Sequence, residues 1–269
     1  MPTLSVIVIT KNEQAHIKAC IESVSSVADE IIVLDSQSSD QTIQIAESLG
    51  AKVTTSGDWQ GFGIQKNRAL ALATSDWVLS LDADERVTPG LAHEIETLLK
   101  TSPKETCFYL NRQSWYCGRL IRHSGWQDDK ILRLFRRGYA QFTNDRVHER
   151  IVRTDNSPAG ELPSPALPLI PSTLKGDLMH YSFADFDQVL DKVNRYSTLW
   201  AEQEAAKGRI ASPLTALTHG FSAFLKTYIF QCGFLDGWHG LALALSNAQG
   251  TYYKYLKLWH INQKTKSNV

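Results

Sequence analysis

The first hundred residues alternate four times between a short apolar run and a stretch of helical spacing, and nothing else in the chain constrains its fold so tightly. The apolar runs are LSVIVIT from Leu4, EIIVLD from Glu30, Ala51 to Thr55, and DWVLSLDADE from Asp76 to Glu85. Between them, Ile17, Ile21 and Val24 recur at helical spacing, as do Ile43, Ala46 and Leu49 before Gly50, and Gln65 to Ala73 also reads as a helix. Asn12 is expected to cap the first of these helices, and a fourth helix is expected to begin near Pro89. Strands this continuously apolar need cover on both faces, so the pattern predicts a parallel, doubly wound α/β sheet. Ligands are then expected beyond the carboxyl ends of the strands.

After residue 105 the pattern changes. β-like stretches at Cys107 to Asn111, Leu132 to Arg136 and Val147 to Val152 flank an Arg-rich region and predict a mixed or antiparallel extension. Five of the nine prolines fall between Pro158 and Pro171, which reads as a loop or linker. From Phe183 onward the spacing is helical, with Val189, Val193, Tyr196 and Trp200 on one face. The division expected is therefore 1–180 as a ligand-binding and catalytic domain and 181–269 as a C-terminal helical region.

Twenty-eight basic and 28 acidic residues cancel, which argues against bulk nucleic acid as the main partner. The balance hides a split: residues 1–100 hold 7 basic and 14 acidic side chains, and residues 101–269 hold 21 and 14. Four cysteines without CxxC spacing fit a reduced compartment. The N-terminal apolar run has no basic segment ahead of it, so it does not read as a signal peptide, and a cytoplasmic protein is expected. The later apolar stretches are broken by His219, Lys226, Asp236 and His239, leaving a peripheral membrane contact open but no span.

The first glycine is Gly50, so neither of the first two strand-to-helix turns can hold a glycine-rich phosphate loop. Those turns carry polar side chains instead: Thr10, Asn12 and Glu13 after the first strand, Asp35, Ser36 and Ser38 to Asp40 after the second. Such groups suit hydrogen bonds to a base and ribose, although Asn12 and Ser39 also fit as helix caps and Asp35 as a turn former. More specific is Asp82-Ala83-Asp84-Glu85 at the end of an apolar strand. Carboxylates at i and i+2 of an extended segment point the same way, one toward a ribose and one toward a divalent ion bridging a diphosphate. That chemistry belongs to a nucleotide-sugar site, because the metal neutralises a diphosphate leaving group.

SVIVITKNE, IIVLDSQSSDQT, QKNRAL and SLDADE, in this order, resemble the inverting, GT-A glycosyltransferases of family 2. GWQDDKILRLFRR, VHE, LMHYSF, KVNRYS and the tail FLDGWHGLALALSNAQGTYYKYLKL resemble the narrower group that adds β-1,4-linked glucose to the inner-core heptose of lipopolysaccharide or lipooligosaccharide. The resemblance implies a GT-A fold, a Rossmann-like and mostly parallel sheet with flanking helices, followed by a helical extension. It implies a UDP-sugar donor, with glucose as the sugar, and a divalent cation, Mg²⁺ or Mn²⁺. Thr10, Asn12, Glu13 and Asp35 would hold uridine, with Lys66 and Asn67 near the nucleotide. Asp82 and Asp84 would form the DxD motif, Asp84 being the metal ligand. His180 occupies a place where some such enzymes supply a further metal ligand, and it also fits as a packed histidine among aromatics. The acceptor implied is an acidic, lipid-linked saccharide at the inner face of the inner membrane.

An inverting transfer needs one base to take the acceptor proton. The candidates are Asp128, Asp129 and Glu149, with Glu149 first and Asp129 second; a salt bridge from Glu149 to Arg146 or Arg150 is the structural alternative. Arg112, Arg119, Arg122, Arg133, Arg136 and Arg137 suit an acidic acceptor. Tail basics Lys226, Lys254, Lys257, Lys264 and Lys266, interleaved with aromatics, read either as a helix docking on an anionic membrane surface or as packing in a homo-oligomer. The rival readings are a related transferase with another sugar or acceptor, and a non-catalytic, membrane-associated nucleotide-binding module.

Overall fold

The computed structural model describes residues 2–101, 103, 105–144, 149–153 and 172–267, with the side chains of Arg153 and of 265–267 excluded. Val147, Arg146, His148, the Pro158–Pro171 stretch and the Lys266 side chain thus lie outside the described residues.

The alternation yields β1 (Leu4–Thr10), α1 (Ile17–Val24), β2 (Glu30–Asp35), α2 (Thr42–Ser48), β3 (Lys52–Thr55), α3 (Phe62–Leu72), β4 (Trp77–Asp82), β5 (Glu85–Val87) and α4 (Pro89–Lys100). The first four strands of the sheet run parallel in the order β3-β2-β1-β4. Successive residues of one strand enter opposite layers: Val6 and Val8 of β1 join Ile17, Ile21, Leu79 and Leu91, while Ile7 joins Ile32, Ala69, Val78 and Phe135. α1 buries Ile17, Cys20, Ile21 and Val24 in the first layer, and each large apolar side chain so buried contributes roughly 1.5–3 kcal/mol. Thr88 caps α4, its hydroxyl accepting from Leu91 N at 3.3 Å with Pro89 in the first turn, as the sequence pattern predicts.

The sheet continues through β8 (Asp129–Arg136), antiparallel to β4, and β6 (Cys107–Tyr116), antiparallel to β8; β11 (Ser172–Phe183) lies next to β6, β5 pairs antiparallel with β11, and β7 (Arg119–Leu120) pairs antiparallel with β6. A separate pair joins β9 (Ala140–Phe142) and β10 (Ile151–Arg153). Gly176 of β11 crosses α4 so closely that a Cβ there would lie 2.5 Å from Leu91 Cα, so the crossing tolerates no side chain.

Three local expectations change. Asn12 does not cap α1, which starts five residues later behind His16; Asn12 adopts a left-handed φ of 58° and its side chain reaches across to the next loop. The run from Asp76 to Glu85 is not one strand: β4 ends at Asp82, the chain turns at Ala83 and Asp84, and β5 leaves to pair with β11. Of Val147 to Val152, only the last two residues fall in a described strand.

The chain forms two compact units, Met1–Arg112 with Asp128–His180, and Gln113–Gln127 with Tyr181–Val269. The second unit therefore includes a segment from the middle of the chain. It contains α5 (Phe186–Ala206), α6 (Pro213–Leu225), a π-helical turn Lys226–Phe230, a 3₁₀ turn Gly233–Asp236 and α7 (Gly237–Ser267). Buried Asp236 holds the mid-chain segment in place, accepting from Arg122 N and His123 N at 3.0 Å and from Ser124 Oγ at 2.8 Å. The C-terminal half of α7 is packed: Tyr255 and Leu258 are buried with Ala201 and Ala216, and Lys257 Nζ donates to Asn194, Ser197 and Thr198.

Candidate active site

Parallel register sets the ends of three strands side by side, with Thr10 of β1 opposite Asp35 of β2 and Ile9 opposite Asp82 of β4. Asp35 is fully buried, and both its oxygens are used: Thr10 Oγ1 donates to Oδ1 at 3.0 Å, Ser38 N to Oδ2 at 2.7 Å, and the Ser38 hydroxyl to Oδ1. Asn12 N donates to Ser38 Oγ and Asn12 Oδ1 accepts from Ser39 N, each at 2.8 Å, while Glu13 N donates to Thr42 Oγ1 at the same distance. The loops after β1 and β2 are thus stitched into one shelf beyond the strand ends. Gln65 of α3 supports it through Ser36 Oγ at 3.0 Å.

On one side of β4 lies a cluster saturated with cations. Buried Lys66 holds Asp82 Oδ1 at 2.8 Å and Glu149 Oε1 at 2.6 Å. Arg133 of β8 bonds Asp82 Oδ2 and, at 2.7 Å, Glu85 Oε1. Arg112 of β6 lies 3.8 Å from that same Glu85 oxygen and grips Asp129 Oδ2 with Nη2 at 2.6 Å and Nε at 2.8 Å. Burial opposes ionisation of Asp82, but Arg133 and Lys66 outweigh it and hold its carboxyl well below the ordinary range. Burial pushes fully enclosed Glu85 upward, with Asp82 adding to the effect and Arg133 resisting it. Of the three candidate bases, Glu149 and Asp129 are therefore tied into one ionic network from different strands and loops, while Asp128 is exposed with a φ of 56°. Lys66 is the described partner of Glu149; of the partners expected, Arg146 lies outside the described residues.

The other side is poor in cations. Asp84, two residues on, has His180 Nε2 at 3.3 Å from its Oδ2, because β11 sets His180 opposite Glu85. Glu13 faces the same space: burial, then the charges of Asp84, Asp40 and Asp82, raise its carboxyl to about 7, with Arg86 opposing. Arg86 is turned to the backbone, donating to Ala83 O at 2.7 Å and Glu85 O at 2.8 Å. Extended geometry predicts Asp82 and Asp84 side by side; the turn at Ala83 and Asp84 instead sends them to different partners.

Among the described residues no three His, Cys, Asp or Glu side chains gather as a metal cage. Asp84 with His180, next to a Glu13 whose charge is suppressed by burial and then by neighbouring carboxylates, fits a hard divalent ion that takes the rest of its shell from phosphate and water. Asn67, expected near a nucleotide, uses both ends of its amide on β9, donating to Phe142 O at 2.8 Å and accepting from Phe142 N at 2.9 Å. Arg112 and Arg133 belong to the ionic cluster, Arg136 lies over Trp77 and Tyr139, and Arg137 Nε donates to Ser75 O at 2.7 Å. These four are engaged by the protein, whereas Arg119 and Arg122 are exposed in the second unit. The central role of Arg133 was not anticipated; its one trace in sequence is a cation inside the otherwise apolar ILRLF of β8.

The family model "Glycosyl transferase family 2" matches residues 5–152, and the chain belongs to that family. It is 30% identical to an uncharacterized glycosyltransferase of Rickettsia typhi, over 100% of this chain and 91% of the relative. It is also 28% identical to the lipopolysaccharide core biosynthesis glycosyltransferase LpsC of Rhizobium meliloti, over 94% of this chain and 93% of LpsC. A crystal structure of glucosyl-3-phosphoglycerate synthase from Mycobacterium tuberculosis, in complex with Mn²⁺, UDP and its product, overlaps 43% of this chain and 44% of that one at 30% identity and a TM-score of 0.35.

Proposed function

We propose that this glycosyltransferase is a metal-dependent, inverting enzyme of GT-A type that moves glucose from UDP-glucose to the inner-core heptose of lipopolysaccharide or lipooligosaccharide. The observation that carries the reading is the cation-poor space at the strand ends, where Asp84, His180 and a Glu13 raised to about 7 stand opposite a fully neutralised Asp82. The likeness to LpsC along nearly the whole chain supports the core-saccharide acceptor.

In this reading the shelf of Thr10, Asn12, Glu13 and Asp35 receives uridine, and Lys66, beside the nucleotide, offsets the charges of Asp82 and Glu149. Asp82 and Asp84 act as the DxD motif, but with divided labour: Asp82 fixes Lys66 and Arg133, while Asp84 and His180 hold the cation. A divalent ion bound there supplies charge neutralisation to the departing diphosphate. Glu149, set in place by Lys66, takes the acceptor hydroxyl proton as the oxygen attacks the anomeric carbon; Asp129 is the second candidate. The acceptor is lipid-linked, so the enzyme works as a peripheral protein at the cytoplasmic face of an anionic inner membrane. No helix among the described residues is long and apolar enough to cross one.

The test is a donor screen against a deep-rough lipooligosaccharide, with and without Mn²⁺ or Mg²⁺, reading released UDP and the mass of the product. Addition of one hexose from UDP-glucose alone is expected. Transfer from another nucleotide sugar, or to another acceptor, keeps the chemistry and replaces the substrate; metal-dependent UDP binding without any transfer overturns the catalytic reading.

A further inference from the structure

α6 is built inside out. It packs through its small residues: Ala216 is buried, and Gly220 comes so near α7 that a Cβ would lie 3.1 Å from Tyr252 Cβ. Its large apolar side chains face outward. Leu214, Leu217 and Phe221 recur at i, i+3 and i+7, and with Ile210 before them and Phe230 and Trp238 beyond they range from 58% exposed at Leu217 to 82% at Trp238. Isolated exposed leucines are ordinary, but a helical stripe of this kind marks a surface covered by something else.

The charges around the stripe say what covers it. From Lys207 to the C-terminus there are seven Lys and Arg and one acid, Asp236; two of those cations, Lys207 and Arg209, are paired with Glu204, and the other five have no acid within this stretch but Asp236. That acid is buried and spent on Arg122 N, His123 N and Ser124 Oγ, so it presents no negative charge outward. Lys226, at the end of α6, is exposed, and exposed Arg119 lies against Gly237 beside Trp238. A second copy of this face would set one predominantly basic surface against another, which costs like-charge repulsion. An anionic lipid surface instead accepts apolar side chains at its interface and pairs the surrounding cations with phosphate.

We propose that α6, the turns after it and the first turn of α7 lie in the interfacial layer of an anionic bilayer and anchor the protein there. This deepens the peripheral location proposed above, and rests on that reading only for which leaflet is met. It also moves the docking surface away from the α7 tail, whose Lys257 is bonded to Asn194, Ser197 and Thr198 and whose Tyr255 is buried.

The experiment compares the full chain with two separate variants, Leu214→Gln with Leu217→Gln and Phe221→Gln, and Phe230→Gln with Trp238→Gln. Each is sedimented with vesicles of phosphatidylglycerol and phosphatidylethanolamine, and with phosphatidylcholine vesicles. The wild type is expected to bind the anionic vesicles and to bind phosphatidylcholine at least tenfold more weakly; each variant is expected to lose tenfold or more, with its melting temperature and its UDP release on a water-soluble acceptor unchanged. Brominated lipid is expected to quench tryptophan emission in the wild type and to do so less in Trp238→Phe. Equal sedimentation of variants and wild type overturns the proposal, as does a dimer by light scattering that the variants dissolve without any vesicle binding in the wild type. Absent vesicle binding with intact UDP release removes the anchor and leaves the transferase; vesicle binding without UDP release under any donor removes the transferase and leaves the anchor.

Discussion

Asp82 and Asp84 are separated by one alanine and live in opposite electrostatic surroundings. Asp82 is held by Lys66 and Arg133, and its charge is locked on; Asp84 has His180 at 3.3 Å and, after burial, adds most to the rise of the Glu13 carboxyl. In the function proposed above, the saturated side serves as structure and the unsaturated side as the site. A carboxylate that already has two cations gains little from a third, whereas crowded carboxylates with few counter-ions are stabilised by whatever cation arrives.

Four expected outcomes bear on this contrast, from the largest effect to the smallest. Asp84→Ala is expected to lower metal-dependent UDP release by about 10³-fold or more while the melting temperature stays near that of the wild type. Near-normal turnover with Mn²⁺ or Mg²⁺ breaks the comparison, because Asp84 would then be no more functional than its neighbour. Glu149→Gln keeps the size of the side chain and removes its basicity, so kcat is expected to fall roughly 10²–10⁴-fold with donor and acceptor still bound. Asp129→Asn is expected to be milder; if it is the one that abolishes turnover, the two exchange roles.

Arg133→Met acts on the saturated side. It leaves buried Glu85 and half-buried Asp82 without their shared cation, and urea unfolding is expected to report a loss of about 3 kcal/mol. A loss below about 1 kcal/mol would mean that the cluster is not what holds β4 and β8 together. The smallest effect is a pH dependence on the open side. Glu13 rises from an ordinary 4.5 to about 7 in the folded protein, so its contribution to stability is complete below 4.5 and is lost as pH rises through 7. Cation binding has the opposite sign, since a deprotonated Glu13 favours it: Mn²⁺ affinity by calorimetry is expected to be about tenfold weaker at pH 6 than at pH 8. Glu13→Gln is expected to flatten both curves, and an unchanged pH profile in that variant would remove Glu13 from the cation's surroundings.

The boundary between what was legible and what was not runs through individual residues. β1, β2 and β4 could be read from runs of Val, Ile and Leu, and the placing of polar groups at their carboxyl ends followed from a parallel sheet. Asn12 was misplaced because a cap is a local inference, and its actual partner is Ser39, 27 residues away. The partners of Glu149 and Asp129 had no signal at all: Lys66 comes from α3 and Arg112 from β6, and only the folded sheet brings them to those acids. The tail was legible as aromatic and basic. That α7 turns much of this chemistry inward and α6 turns its leucines outward depends on which helix faces which.

By itself, then, the sequence determined the alternation, the parallel half of the sheet and the set of polar groups available at its edge, because apolar periodicity acts over a few residues and strand order follows from short connections. Tertiary structure decided which of those groups are neutralised and which stay open, and which face of each helix meets water. The reason is physical: ion pairing and burial depend on distances between residues far apart in the chain, and two acids one residue apart in sequence can be held by different partners in space.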